Sequence, residues 1–303
     1  MKKVSFWGWY SDYDCHTIDG LKKYYNVRND SMTKFVRVMF KAFKMLLPKK
    51  VSERIISLVL LSKLDKSSIA IFSDDILYYI RFALALQNQR KIVVFRNIID
   101  RTYENNINLL KRSGFELYTF DPADAQYYDI CYKGQYLPVY DVDDVNPDVA
   151  AYFLGLNKGR KEILERLSHQ LLKKGVAVNF TIIDNSEKKF SLSKRSLSYK
   201  ENIEQVLRSR YLVDIVRPGQ SGMTLRVLES AFYKRKLITN NPNVKDTDIY
   251  NSNNILVLDD QMNIPDEFLA SPYEELQVTT LEKYKADNYY IDILEGIQCD
   301  KNI

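Results

Sequence analysis

The strongest constraint on this chain is an alternation between two hydrophobic periods. Short β-branched or aromatic runs stand at Val4–Gly8, Ile69–Phe72, Lys91–Phe95, Glu116–Phe120 and, more weakly, Asp129–Tyr132. Longer amphipathic stretches such as Asp75–Gln87 and Tyr103–Ser113 lie between them, and Gly114 closes the second as a helix C-cap. Short, nearly continuous apolar runs read as strands buried on both faces, and helix-period segments between them supply the crossovers of a parallel sheet.

The pattern breaks once and then restarts. Pro138 to Asp148 carries four Asp and two Pro with no periodicity, and it reads as an interdomain linker. Beyond it come a strand at Ala150–Leu156, a helix at Lys161–Lys174 capped by Gly175, and a strand at Val176–Ile183. A helix then starts after Ser198, where Ser198 and Glu201 have capping-box spacing. Tyr211–Val216, Lys236–Thr239 and Ile255–Leu258 read as strands and Thr224–Tyr233 as a helix. With 303 residues, the chain is long enough for two domains. The expected fold class is α/β, with two Rossmann-like domains facing a cleft. The first would span 1–145 and the second 146–303, with the last helix packing back on the first domain. In open sheets of this kind ligands sit outside the carboxyl ends of the strands, so the loops there hold the candidate chemistry.

Composition narrows the chemistry. Two histidines exclude a poly-histidine metal centre and argue against a Ser-His-Asp hydrolase. Three scattered cysteines without a CxxC pair fit a reducing cytoplasm better than a disulfide scaffold or a zinc site. The net charge of +5, with no reading motif, argues against nucleic acid as a partner. No apolar run approaches the roughly 18 residues that a spanning helix needs.

The most informative segment is Val213–Asn240. A buried strand runs into Arg217-Pro218-Gly219-Gln220-Ser221-Gly222, which opens onto a helix near Met223. Two glycines let backbone amides approach a ligand. The helix N-terminus adds about half a positive charge, and Arg217 and Arg226 add full ones. Such a loop can cradle a phosphate; equally, its glycines can serve only to make the turn. Earlier in the chain, Gly155-Leu156-Asn157-Lys158-Gly159-Arg160 places a second glycine turn and two cations between a strand and a helix.

Together these segments resemble the C-terminal domain of GT-B glycosyltransferases. There a Gly-rich turn opens a helix, a Glu follows seven residues after the glycine, and a strand comes next; Gly222, Glu229, Ser230-Ala231 and Leu237-Ile238-Thr239 match. Residues 150–258 look like bacterial lipopolysaccharide or capsule glycosyltransferases, and Phe120–Tyr128 resembles that group more weakly. The resemblance implies that Glu229 holds the ribose hydroxyls of a nucleotide-sugar donor. It also implies that Ser221, Gly222 and Thr224, with Gln220, lie against the diphosphate, that Gly155, Lys158 and Arg160 neutralise the leaving group, and that Tyr199 contacts the base. Ser221 stands where many retaining members carry an earlier Glu, and Lys234 and Lys236 replace their Gly and Pro. No metal or other cofactor is expected, since helix dipole, amides and cations would stabilise the departing diphosphate.

In the first domain, the loop after Val4–Gly8 offers Asp12, Asp14 and His16 among aromatics, and the loop after Ile69–Phe72 offers Asp74 and Asp75. Asp12, Asp14 and Asp75 are the candidate catalytic bases, and Arg96-Asn97 is a further candidate contact. Met32–Lys50 holds Lys34, Arg37, Lys41, Lys44, Lys49 and Lys50 with no acid, interleaved with apolar residues. That is the pattern of a helix lying on a membrane surface, or of a core helix with a solvated basic face. The expected partners are therefore a nucleotide-sugar donor, a glycan or lipid-linked acceptor and, through residues 32–50, the inner face of the cytoplasmic membrane. Two other readings stay open: a phosphopolyol transferase of teichoic-acid type, and a non-catalytic partner with the same fold.

Overall fold

A computed structural model describes residues 1–62, 68–74, 84, 89–143, 145–183, 198–217 and 219–297. The helix expected over Asp75–Gln87, and Asp75 with it, lies outside the described residues apart from position 84. The chain divides into two compact units, Met1–Lys133 with Ile297–Ile303, and Gly134–Gly296.

Unit 1 carries a six-stranded sheet in the order β2-β1-β3-β4-β5-β6, every pair parallel. Its strands are β1 (Lys3–Trp7), β2 (Asn26–Asn29), β3 (Ile69–Ser73), β4 (Lys91–Phe95), β5 (Phe115–Thr119) and β6 (Cys131–Tyr132). The crossovers include α1 (Asp12–Leu21), α2 (Lys34–Leu46), α3 (Lys49–Ser62), α4 (Glu104–Arg112) and α5 (Pro122–Tyr128). Trp7, Phe72, Val93 and Leu117 form a core with Ile107 and Leu110 of α4, Phe40 of α2 and Ile56 of α3. Two elements depart from the expectation. The loop expected after β1 turns into α1, because Ser11 and Asp14 form a reciprocal capping box. The edge strand β2 has one buried residue, Val27, so it carries no hydrophobic run to find.

Unit 2 carries a five-stranded parallel sheet in the order β11-β10-β9-β7-β8. Its strands are β7 (Val149–Leu156), β8 (Val178–Ile183), β9 (Ser209–Asp214), β10 (Lys236–Thr239) and β11 (Ile255–Val257). One core packs Leu164, Leu167 and Leu171 of α6 (Lys161–Lys173) on β7 and β9. The other packs Ile203, Val206 and Leu207 of α7 (Tyr199–Arg208) with Val227 and Leu228 of α8 (Leu225–Phe232). Three further helices, α9 (Asp266–Ala270), α10 (Val278–Glu282) and α11 (Ala286–Glu295), complete the unit.

The division after Lys133 falls earlier than the linker expected from composition. Leu137 is fully buried in the unit 2 core. Its N–H donates to Tyr284 O at 2.8 Å and its carbonyl accepts from Ala286 N at 3.0 Å. The hydroxyls of Tyr136 and Tyr290 are 2.8 Å apart. These contacts tie α11 and the residue before it to the segment at 136–137 within unit 2. Cys15 is free and exposed.

Both sheets reverse their strand order once. In unit 1 the reversal lies between β1 and β3, and in unit 2 between β7 and β9. At such a point neighbouring crossovers run to opposite sides, which opens a crevice at the carboxyl ends of the strands.

Candidate functional site

The reversal between β7 and β9 brings together most of the residues read as donor-binding. After β7 the chain makes a tight turn in which Arg160 N donates to Asn157 O at 2.8 Å. Lys158 and Gly159 are both left-handed, with φ of +42° and +80°. A lysine in that region is uncommon. The Arg160 guanidinium folds back over the strand ends. Its Nη1 donates to Ile215 O at 2.9 Å and its Nε to Leu156 O at 3.2 Å. It also lies 5.3 Å from the Phe153 ring centroid. Gly155 lies inside β7, within the strand expected at Ala150–Leu156. A Cβ there would lie 3.0 Å from Arg160 Nη2 and 3.1 Å from the Phe153 ring.

After β9, the loop to α8 is held by three asparagines that follow β10. Asn240 Oδ1 accepts from Val216 N at 2.8 Å. Asn241 Nδ2 donates to Gly222 O at 3.3 Å, and Asn243 Nδ2 to Ser221 O at 3.1 Å. Within the loop, Gln220 N donates to Arg217 O at 3.2 Å and Gly219 has φ of +82°. Thr224 is the N-cap of α8 but makes no side-chain cap, and the first turn carries no acid. The positive end of that helix is therefore not neutralised from within its own first turn.

Three cations crowd this place. Lys158 is held below its ordinary pKa by burial first, then by Arg217 and Arg160. Arg160 is lowered by burial, with Arg217 adding to the effect and Asp214 opposing it. The neighbouring acid, Asp214, is buried at the end of β9, and burial pushes it up to about 6 against the pull of Thr224, Arg226, Thr239 and Arg160. Like charges that depress one another form a site that an anion would relieve.

Glu229, for which the resemblance implies a ribose contact, is buried, with only 3% of its side chain exposed. Its Oε1 accepts from the Tyr199 hydroxyl at 2.9 Å and from Asn202 Nδ2 at 3.3 Å. Its Oε2 lies 2.6 Å from Arg226 Nη1. Asn202 Oδ1 in turn accepts from the Tyr152 hydroxyl at 3.0 Å, and Arg226 lies 5.3 Å from the Tyr152 ring. Glu229 and Arg226 are thus tied into a buried polar cluster that joins α7 to α8. Tyr199, read as a base contact, spends its hydroxyl there, with its pKa driven well up by burial and by Glu229.

The reversal in unit 1 gathers a second cluster, centred on Arg96 beyond β4. Gly8 has φ of +85°, and its carbonyl accepts from the Ser73 hydroxyl at 2.9 Å. Trp9 Nε1 donates to Ile71 O at 3.2 Å, and Arg96 lies 4.4 Å from the Trp9 ring. Asp14 accepts from the backbone of Tyr10 and Ser11 through one oxygen, and from Arg96 Nη1 at 2.5 Å through the other. Arg96 Nη1 also donates to the Tyr13 hydroxyl at 3.0 Å, and burial pushes that phenol up. Asp74 lies 3.8 Å from Arg96 Nε and accepts from Asn97 Nδ2 at 2.6 Å. Of the three acids read as bases, Asp14 is buried and occupied by these partners. Asp12, in the first turn of α1, is exposed. Among the described residues no group of His, Cys, Asp and Glu is arranged to hold a metal.

No family model matches the chain, and no curated protein matches it. Among solved structures, the crystal structure of the glycotransferase of kitacinnamycin aligns over 97% of this chain and 98% of that one, with 9% identity and a TM-score of 0.47. A similarity of that size speaks to neither activity nor substrate.

Proposed function

We propose that the protein is a glycosyltransferase of GT-B type. It would move a sugar from a nucleotide-sugar donor to a glycan or lipid-linked acceptor, as in bacterial lipopolysaccharide or capsule assembly at the inner face of the cytoplasmic membrane. The observation that carries this reading is the group of Lys158, Arg160 and Arg217 at the β7/β9 reversal, beside the N-terminus of α8. Lys158, Arg217 and the loop 220–222 take the donor diphosphate, with Thr224 beside them. Arg160, already bonded to the strand-end carbonyls, fixes the floor beneath. Negative charge grows on the diphosphate as the sugar–oxygen bond breaks, and fixed cations and helix amides favour that state over the ground state.

The acceptor hydroxyl must lose a proton. Asp12 or Asp75 serves as its base, while Asp14, with both oxygens engaged, positions Arg96. Glu229 acts as a positioning residue that ties α8 to α7, and ribose contact by its carboxylate is not part of this proposal.

The test is calorimetric titration with UDP, GDP, CDP and CMP, followed by a nucleotide-sugar panel. One nucleoside diphosphate is expected to bind and its sugar to be transferred, with Lys158→Ala and Arg217→Ala each weakening binding by roughly tenfold. Consumption of a CDP-polyol instead would assign phosphopolyol transfer. Absence of binding by every nucleotide would remove both enzymatic readings.

A further inference from the structure

We infer that α2 docks onto an anionic lipid surface through an apolar stripe that the fold of unit 1 does not use. The inference stands apart from the proposed activity. At about 100° per residue, the apolar residues of α2 form one broad arc, of which the fold uses only part. One part of the arc carries Val36, Phe40 and Phe43, which pack on the unit 1 core. The adjoining part carries Phe35, Val38, Met39, Met45 and Leu46, spaced at helical intervals and all exposed. Phe35, Met45 and Leu46 are 72%, 87% and 79% exposed. Single exposed apolar residues are ordinary on soluble proteins, but an ordered row of five along one helix is not. Leu58 of α3 is exposed as well.

Charge decides the occupant. From Ser31 to Ser52 the chain has six Lys and Arg and no Asp or Glu. Lys41 and Lys50 are exposed, whereas Arg37 lies 4.2 Å over the Tyr10 ring. A second copy of this chain set stripe to stripe would bring two such cationic segments together. A bilayer with anionic headgroups supplies acyl chains for the stripe and phosphates for the cations beside it, with the helix lying in the plane of the surface. Among the described residues no helix is long and apolar enough to cross the membrane, which leaves in-plane contact as the mode.

The experiment is flotation of the full chain with vesicles of phosphatidylcholine alone, or with added phosphatidylglycerol, at low and high salt. Wild type is expected to float with the phosphatidylglycerol vesicles at low salt and to be released by salt. Lys41→Glu is expected to reduce partitioning by about fivefold or more. Phe35→Glu/Met45→Glu, which touches no core position, is expected to reduce it more than tenfold with an unchanged thermal transition. Failure of wild type to float at low salt would overturn the inference, as would flotation that the double substitution leaves intact. A dimeric mass in solution that becomes monomeric in Phe35→Glu/Met45→Glu would assign the stripe to a second copy and overturn it too.

Discussion

Gly155 and Arg160 are packed against each other so closely that a side chain at residue 155 would have to push the guanidinium aside. A Cβ there would stand 3.0 Å from Nη2 of the guanidinium, which is itself bonded to carbonyls at the ends of β7 and β9. A flexible arginine would ordinarily swing aside, but this one would surrender its bonds to do so. Gly155→Ala is expected to destabilise the protein by about 1–3 kcal/mol, read from urea unfolding. It should also weaken nucleoside diphosphate binding, because the floor of the cation group moves.

The Asp214 carboxyl, at about 6 in the folded protein against an ordinary 3.8, binds its proton more tightly folded than unfolded. Its contribution to stability is therefore fully present below pH 3.8 and is lost as pH rises through about 6. Asp214→Asn keeps a neutral group at that position. Relative to wild type, the variant should gain stability between about pH 4 and pH 7, on the order of 2–3 kcal/mol. Unfolding curves at the two pH values check this, and an unchanged difference between the proteins would count against it.

Arg96 neutralises a carboxylate that is buried and already holds two backbone amides. Arg96→Ala leaves the Asp14 charge without its partner, and a loss of about 3–5 kcal/mol is expected. Arg96→Lys should recover only part of this, since an ammonium cannot reproduce the planar contact with Trp9 while reaching Asp14. Thermal denaturation of the two variants, with Asp14→Asn as the companion, measures the ordering.

Tyr199 and Glu229 share a buried hydrogen bond between α7 and α8. Tyr199→Phe is expected to lower stability by about 1–2 kcal/mol. A double-mutant cycle with Glu229→Gln should return a coupling of about 1 kcal/mol. A coupling near zero, together with a large loss of nucleotide affinity in Glu229→Gln alone, would restore the carboxylate to direct ligand contact.

Much of the fold was legible because buried parallel strands write themselves as compact apolar runs: Lys91–Phe95 and Lys236–Thr239 stand where the sequence put them. Strand β2 escaped because an edge strand with one buried side chain has no such run. Helix α1 escaped because its opening Ser11 and Asp14 also read as polar loop chemistry. At the site, the cations after β7 and β9 could be found from glycines and charge. Spacing alone could not tell which way Glu229 turns, since that depends on Tyr199 and Asn202, both distant in sequence. The asparagines at 240, 241 and 243 left only a polar cluster after a strand as their trace, and Arg96 gained its place from a crossover that no local pattern records.

Lys158 and Gly159 reverse the chain with two consecutive residues on the left-handed side of backbone space, at φ of +42° and +80°. Glycine or asparagine would settle at position 158 with less steric resistance than lysine does. Conformational preference alone therefore does not account for the residue found there, and the four-carbon arm with its ammonium is what sets it apart from better turn formers. Substituting Asn would relax the turn while emptying it of charge, so at this one position ease of folding and the anion grip we propose pull in opposite directions.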